Sequence, residues 1–308
     1  MTRRLSPAAL AHLLLLAVVI IWGATFSLIK NALQDASPLL FNLLRMSLAF
    51  LALAIVNHRQ LRHISRRALI SGVVVGLFLA AGYQFQTAGL ARTTPAKSAF
   101  ITGLVVIFVP LLTTIPILRP AGTHAPRWTA AIGAILAFSG LLLLTTPAGT
   151  HLGDIFATIG PGDLLTLACA IAFAGHLLAL AHTSPSLPAS QLATLQIGVA
   201  ALVMAITLPL AGHNYLIFTP RLAIALTVTS LLATAAAFTI QSWAQQHLPP
   251  THTALLLTLE PVFAYLTALL FLHQHLGPRS LTGAALILAG IAFTELLASP
   301  NPLPAHPA

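Results

Sequence analysis

Residues 235–272 read AAAFTIQSWAQQHLPPTHTALLLTLEPVFAYLTALLFL, a pattern of two apolar helices joined at Pro249-Pro250. A proline pair ends the first helix and can occupy the first turn of the second. A similar stretch, AAGYQFQTAGLARTTPAKSAFITGLVVIFVPLL, lies 155 positions upstream at residues 80–112 and aligns without a gap. The identical pairs are Ala80/Ala235, Ala81/Ala236, Gln86/Gln241, Pro95/Pro250, Ala99/Ala254, Leu104/Leu259, Phe108/Phe263 and Leu111/Leu266. This alignment predicts that the chain is a tandem repeat.

The composition indicates whether the surface of this protein can face water. Hydrophobic residues make up 57% of its 308 positions and charged residues only 6%, whereas soluble domains carry roughly 25% charged residues. Such a chain cannot cover a surface that faces water, so we predict a protein that crosses the membrane several times. The net charge of +9 does not indicate nucleic-acid binding, because the basic residues lie mostly in short loops between apolar segments. The single cysteine, Cys169, excludes an internal disulfide and is predicted to be a buried thiol.

The apolar segments number ten, each near the length of roughly 20 residues that a bilayer requires. We predict an all-α membrane protein of ten transmembrane helices, with a first five-helix repeat at residues 1–150, a second at 151–298 and a disordered tail at 299–308. The predicted spans are 10–30, 38–56, 68–91, 96–118, 128–146, 162–182, 190–211, 221–246, 252–272 and 280–298.

Basic residues predict the orientation, because cytoplasmic loops carry the excess of lysine and arginine. A cytoplasmic N-terminus places eight of them inside, including the dense cluster from Arg59 to Arg67, and five outside. The inside set is Arg3, Arg4, Arg59, Arg62, Arg66, Arg67, Arg119 and Arg127, and the outside set is Lys30, Arg92, Lys97, Arg221 and Arg279. With ten helices, both termini are then cytoplasmic.

Five helices per repeat imply that the two repeats are inverted, because an odd number of spans makes the second repeat enter the membrane from the opposite side. The last helix of each half carries the same spacing of small residues, Gly133 to Gly140 and Gly283 to Gly290. Small residues let helices approach closely, so we predict a packing role for these glycines. Inverted repeats with a polar site at their interface are typical of secondary transporters.

Two charged side chains fall inside predicted spans. Glu260 precedes Pro261 in the ninth helix, and Arg45 lies near the middle of the second. A carboxylate in lipid costs several kcal/mol unless it is paired, protonated or exposed to a wet cavity. Glu260 is therefore a candidate for binding a substrate ammonium or for proton coupling, and otherwise satisfies backbone groups freed by the proline. Arg45 is a candidate for substrate contact or for a structural ion pair.

Uncharged polar and aromatic residues complete the candidate site. Gln86 and Gln241 occupy equivalent repeat positions, with Tyr83 three residues before the former and Gln245 four residues after the latter, so each pair shares a helix face. These amides could bind polar substrate groups or hold helices together at about 0.6 kcal/mol each. Trp22 and Trp243 are candidate cavity aromatics, with interfacial anchoring as the alternative. His176 is a candidate proton carrier, with a neutral hydrogen-bonded role as the alternative.

The order and spacing of several segments resemble one transporter family over nearly the whole chain. The segments are WGATFSLIK at the end of the first helix, Arg45, GYQFQTAGL followed by KSAFITGL, the 235–272 stretch, and GAALILAGI. They resemble the drug/metabolite transporter superfamily, in its EamA-domain branch. The resemblance implies an exporter or importer of small metabolites in the cytoplasmic (inner) membrane, with a cavity lined by helices 1, 3, 4, 6, 8 and 9. The chain departs from the family where a glycine-glutamate pair commonly follows the ninth helix, because it has His273-Gln274 there.

Other chemistries have little support in the sequence. It contains no phosphate-binding glycine loop, no His-Glu-x-x-His motif and no Gly-x-Ser-x-Gly motif, and His273-x-His275 is a weak metal signal. We therefore expect neither enzymatic activity nor a cofactor or metal. The predicted function is alternating-access export of a small polar metabolite, such as an amino acid or a related amine or acid, with proton coupling as a candidate. The alternatives are an intramembrane lipid-modifying enzyme and a non-transporting scaffold. Expected partners are the bilayer and a small-molecule substrate, with a second copy of the chain as a further candidate and no nucleic acid.

Overall fold

A computed structural model describes residues 6–120, 128–145, 159–248, 253, 256–257 and 259–296. These residues form helices joined by short loops, and their β-pairing consists of an isolated antiparallel bridge between Ala36 and Leu216. Seven of the described helices are long and apolar enough to cross a membrane. The chain is therefore an all-helical, multi-pass membrane protein.

The helices follow most of the predicted spans closely, but α4 ends at Leu112 rather than at residue 118, and α9 begins at Glu260 rather than at residue 252. We number them α1 Pro7–Ala32, α2 Pro38–Val56, α3 Arg66–Ala91, α4 Pro95–Leu112, α5 Trp128–Thr145, α6 Pro161–Thr183, α7 Ala189–Thr207, α8 Pro220–Ala244, α9 Glu260–Leu272 and α10 Pro278–Leu296. Many begin with proline in the first turn, where its missing N–H is no loss. The side chains of Ser6, Ser65, Thr94 and Thr219 accept hydrogen bonds from the first turns of α1, α3, α4 and α8.

Two helices are interrupted near the middle of the bundle. α4 consists of the segments Pro95–Thr102 and Val105–Leu112, separated at Gly103 and Leu104. α9 begins at Glu260, and before it Leu256 and Leu257 are helical, whereas Leu259 lies in a turn. The repeat alignment pairs Leu104 with Leu259, so both interruptions fall at aligned positions. Interrupted helices at this depth are tolerated where the backbone lies within the protein or lines a cavity.

α8 contains a long deviation from α-helical geometry. Its central segment, Val228–Ala236, is a π-helix, in which backbone hydrogen bonds span five residues instead of four. Most π-helices are single-turn insertions, and they occur frequently at functional sites. The apolar and β-branched composition of this segment gave no sequence signal for it.

The closest helix packing joins α5 to α10. A Cβ atom on Gly140 would lie 2.5 Å from the carbonyl oxygen of Gly283, and one on Gly290 would lie 2.5 Å from the carbonyl oxygen of Gly133. This contact gives the glycines the packing role that their spacing predicted. Elsewhere α3 packs against α6 and α7, α1 against α9, and α2 against α7. Cys169 is buried, as predicted.

Candidate functional site

An internal cavity lies among the helices that the resemblance named. It is lined by α1, α3, α4, α6, α8 and α9, and α2 contributes Arg45. The volume of the cavity is about 70 Å³. The predicted site residues that line it are Trp22, Arg45, Tyr83, Gln86, His176, Gln241 and Glu260. Residues from both halves of the chain thus meet around one polar-lined space.

Arg45 is the most completely buried charged residue of the cavity wall, with 1% of its surface exposed. Its Nε donates to Thr234 Oγ1 at 2.7 Å, and its Nη2 donates to Tyr83 Oη at 3.1 Å and to the Ala233 carbonyl at 3.3 Å. The guanidinium carbon also lies 4.3 Å from the centre of the Tyr83 ring. Within the described residues Arg45 forms no ion pair, so neutral groups alone hold this buried cation.

Glu260 lies at the first turn of α9, where close helix contacts fix the backbone. A Cβ on Gly23 of α1 would lie 2.8 Å from the Glu260 carbonyl oxygen, and one on Gly103 of α4 would lie 3.0 Å from Pro261 Cγ. These glycines allow α1 and α4 to approach the start of α9. In the described part of the chain the Glu260 carboxylate makes no hydrogen bond or ion pair, and it faces the cavity. Among the described residues the carboxyl makes no bond to a backbone group, and its role in satisfying backbone groups stays a prediction.

Gln86 and Gln241 both line the cavity from their equivalent positions in α3 and α8. Gln241 Oε1 is buried without a hydrogen-bond partner among the described residues. Gln86 is 8% exposed and likewise forms no side-chain hydrogen bond within that part of the chain. Because buried amide groups normally find partners, these two amides are available to a ligand or to water.

Aromatic rings form much of the remaining wall. The Trp22 and Phe238 ring centres lie 5.5 Å apart, and Tyr83 meets Phe173 edge to face at 5.3 Å. Trp22 also donates its Nε1–H to the Ala233 carbonyl at 2.8 Å. This bond fixes the indole at the cavity rather than at a membrane interface.

His176 lies in the wall on α6 and is held by a neutral partner. Its Nε2 is 2.7 Å from Gln196 Oε1, and Gln196 Nε2 donates to Ser242 Oγ at 3.4 Å. The ring packs against Phe173 and Phe238. This geometry favours the neutral, hydrogen-bonded role, although the residue also borders the cavity.

Two predicted cavity residues lie elsewhere. Trp243 packs against His247, with ring centres 4.4 Å apart, and borders a shallow groove with Leu14 and Gln246. Gln245 is buried, and its Oε1 has no partner among the described residues, but it does not line the cavity. Since successive helical residues turn by about 100° and rise by about 1.5 Å, Trp243 points away from the face that carries Gln241, whereas Gln245 lies near that face but about 6 Å further along, just after the helix ends at Ala244.

The structure brings to this site several residues that were not predicted from the sequence. Thr102 and Phe173 line the cavity, Gln196 holds His176, and Thr234 holds Arg45. Gln196 had a detectable signal, because it is an amide in the interior of a predicted span. The others are common in apolar helices, and only their tertiary neighbours distinguish them.

The structure shows how His273-Gln274 fits after the ninth helix, where the resemblance implies a glycine-glutamate pair. His273 has φ 51°, in the left-handed region that glycine adopts without cost. Gln274 donates to Thr94 Oγ1 at 2.7 Å, next to the start of α4. This chain therefore keeps the backbone shape suited to glycine and places a neutral amide where the family commonly has a carboxylate.

Comparisons with known proteins agree with this arrangement. The model of the EamA-like transporter family matches residues 9–146 and again residues 160–296. An uncharacterized transporter of Archaeoglobus fulgidus is 29% identical over 286 residues, covering 93% of this chain and 86% of that protein. The uncharacterized transporter YoaV of Bacillus subtilis is 22% identical over 286 residues, covering 90% of this chain and 94% of YoaV. A solved crystal structure with 18% identity has the same fold, with a TM-score of 0.67 over 94% of this chain and 97% of its own. The chain belongs to the EamA-like transporter family.

Proposed function

We propose that this protein is a secondary transporter that carries a small polar metabolite across the membrane by alternating access. The observation that carries the proposal is the cavity in which Arg45 and Glu260 face one space without pairing with other described residues. An unpaired charge within a membrane protein is costly unless it serves a substrate or ion pathway. Family membership supports the general function of a membrane transporter.

The proposed architecture is ten spans arranged as two inverted five-helix repeats, at residues 1–150 and 151–298. Two observations support it: the family model matches the chain twice, and the helix contacts occur in related pairs. α1 packs on α9 as α6 packs on α4, and α3 packs on α7 as α8 packs on α2. An experimental structure whose halves were related by an axis along the membrane normal would contradict this architecture.

The proposed location is the inner membrane, with both termini in the cytoplasm, because the cluster from Arg59 to Arg67 predicts a cytoplasmic loop. The test is thiol labelling of Gln60→Cys in a Cys169→Ala background. An impermeant reagent should label this cysteine only after the cells are opened. A control cysteine at His213, in the loop on the opposite side, should react in intact cells. Labelling of position 60 in intact cells would overturn the orientation.

The proposed substrates are amino acids or related amines and acids, and export is favoured over import. The support is the chemistry of the cavity wall, which offers one cation, one carboxylate, two amides and several aromatic rings. An uptake screen in reconstituted vesicles, with and without a pH gradient, tests both substrate and coupling. Vesicles without protein provide the background, and absence of uptake for the whole panel would contradict this substrate class.

Proton coupling through Glu260 is the mechanism proposed for that screen. Alternating access would expose the carboxyl to water in one conformation and enclose it in the other, so a proton could bind and leave in turn. Glu260→Gln keeps the size and removes the charge. It should leave the protein inserted and abolish the pH dependence of uptake, or selectively weaken cationic substrates. Wild-type rates and pH profile in this variant would show that Glu260 is structural.

Matched glutamines on α8 test whether this cavity is the transport site. Gln241 lines it, whereas Gln245 is buried on the same helix outside it. Gln241→Leu should reduce uptake at equal protein levels, and Gln245→Leu should not. Equal losses would indicate a packing role for both residues.

An intramembrane enzyme remains the second candidate, because Glu260 and His176 both line the cavity. Such a carboxyl and imidazole could act as acid and base on a lipid, although Gln196 occupies the His176 Nε2 atom. Purified protein incubated in detergent with membrane lipids, without any gradient, tests this. New lipid products that disappear in His176→Gln would support the enzyme, and their absence would support transport alone.

A further inference from the structure

The π-helical segment of α8 turns one hydroxyl in an unusual direction. The hydroxyls of Thr229, Ser230 and Thr239 donate to carbonyls four residues back, as hydroxyls in α-helices do. Thr234 instead donates to the carbonyl of Thr229, five residues back, at 2.7 Å. In the π register this hydroxyl therefore donates its proton within its own helix, and its lone pairs can accept a hydrogen bond from another helix.

That donor is Arg45, whose guanidinium is fixed along one edge. Nε donates to Thr234 Oγ1, and Nη2 donates to Tyr83 Oη and the Ala233 carbonyl. Nη1 makes no hydrogen bond within the described part of the chain, and Arg45 lines the cavity. Since the guanidinium is planar and carries five N–H donors, anchoring three of them presents the remaining edge in a fixed orientation.

The charges of the cavity restrict what can meet this edge. Arg45 has no acidic partner among the described residues, so an anionic ligand group would supply the missing countercharge. Glu260 lines the same cavity, and its negative charge disfavours ligands with two or more negative charges. A single carboxylate satisfies both conditions, because it carries one negative charge and can accept a charge-assisted hydrogen bond from Nη1.

We infer that Arg45 forms the subsite for the carboxylate of the transported molecule, and that Thr234 on the π-helical segment is its positioning residue. The inference rests on the proposed function and adds a specific ligand group and a residue outside the predicted site. Trp22 shares the Ala233 carbonyl with Arg45, so the same helix segment also fixes an aromatic wall beside the subsite.

The test measures binding to purified protein in detergent, with four probes that share an isobutyl group. L-leucine has both charges, 4-methylpentanoate only the carboxylate, and L-leucinamide and isopentylamine only the cationic group. Dissociation constants come from ligand-dependent thermal stabilisation of the wild type, Thr234→Val, Thr234→Ser and Thr229→Val. Thr229→Val is the matched control, because it removes a hydroxyl from the same π-helical segment that does not contact Arg45.

For the wild type we expect the two carboxylate probes to bind more tightly than the two probes without a carboxylate. Thr234→Val should weaken the carboxylate probes about tenfold, since it removes a hydrogen bond to a charged group. The same variant should leave the amide and amine unchanged. Thr234→Ser should restore wild-type affinity, and Thr229→Val should show wild-type affinities for all probes.

Three outcomes would overturn the inference. In the first, the wild type shows no preference for the carboxylate probes, which includes the case in which no probe binds. In the second, Thr234→Val weakens the binding of all four probes equally. In the third, Thr229→Val and Thr234→Val have equal effects on binding. The result is separable from the transport proposal, because binding needs neither vesicles nor a gradient. Uptake limited to amines lacking a carboxylate would support transport and contradict this subsite. Carboxylate binding without uptake would support this subsite and contradict transport.

Discussion

One end of the helix bundle is joined by ion pairs, and the described contacts at the other end are neutral hydrogen bonds. We call the first the ion-paired end, defined by Asp35, Lys97, Asp163 and Arg221. Lys97 Nζ lies 2.7 Å from Asp163 Oδ2, and Arg221 Nη2 lies 2.6 Å from Asp35 Oδ1. Each pair links the first half of the chain to the second.

We call the other the arginine-rich end, defined by Arg59, Arg62, Arg66 and Arg67. There Gln191 Nε2 donates to the carbonyls of Gln60 and His63, and Asn57 Nδ2 donates to Thr194 Oγ1 at 3.0 Å. These bonds also link the two halves, but without charge. In alternating access each end must open in turn. Because ion pairs hold only one of the two ends, the two ends should respond differently to charge substitutions and to pH.

The largest effect should come from Lys97. Lys97→Met leaves Asp163, only 4% exposed, without its cation, and should cost about 1 to 3 kcal/mol of unfolding free energy. Denaturant unfolding in mixed micelles would measure it. Adding Asp163→Asn should recover part of the loss, because the uncompensated charge is then absent.

Arg92 provides the control for this prediction. It directly follows α3, five residues before Lys97, is exposed, and donates to the carbonyl of Ala88 in α3. Arg92→Met should change stability little. A Lys97→Met loss no larger than that of Arg92→Met would show that the ion pair does not hold this end together.

A smaller and pH-dependent effect is expected at Asp35. Hydrogen bonds from Arg221 and then from Thr219 hold the pKa of the Asp35 carboxyl below its ordinary value. A lowered pKa in the folded state gives stability that is present above the ordinary pKa, about 4, and is lost as the pH falls through the lowered value. The melting temperature of the wild type should exceed that of Asp35→Asn at pH 7, and the difference should shrink below about pH 4. A difference independent of pH would assign the effect to packing rather than charge.

At the arginine-rich end Gln191→Leu should cost about 0.6 kcal/mol, the average for a side-chain hydrogen bond between membrane helices. The loss should be the same at low and high salt, because no charge is removed. The same micelle unfolding assay at two ionic strengths measures it. A salt-dependent loss would remove the distinction between the two ends.

The smallest effect, and a stabilising one, is expected for His273→Gly at the ion-paired end. His273 has φ 51°, which costs a residue with a side chain about 1 to 2 kcal/mol. Glycine avoids this cost, but its larger conformational entropy in the unfolded state offsets part of the stabilisation. The net expectation is about 0.5 kcal/mol of added stability. His273→Ala is the control and should add none, since alanine meets the same restriction. Destabilisation by glycine would indicate that the imidazole makes a necessary contact.

Most of the membrane-spanning architecture could be predicted from the sequence. Apart from the end of α4 and the start of α9, apolar length and proline placement gave the helix positions to within a few residues, because a bilayer fixes how long a span must be. The same logic identified Arg45 and Glu260, since a charge within an apolar span is rare enough to be informative. Glycine spacing likewise indicated the α5–α10 contact, where close approach requires small residues.

Only the tertiary structure could decide which polar residues face one another. Arg45 meets Tyr83, 38 positions away, and Thr234, 189 positions away, so neither contact leaves a local pattern. Gln241 lines the cavity and Gln245, one turn further along the same face, lies outside it, although both are amides in the same predicted span. The π register of residues 228–236 left no signal in residue type, and within it the Thr234 hydroxyl accepts a hydrogen bond from Arg45 on another helix. Composition and spacing determined where the chain crosses the membrane, and long-range packing determined which side chains form the site.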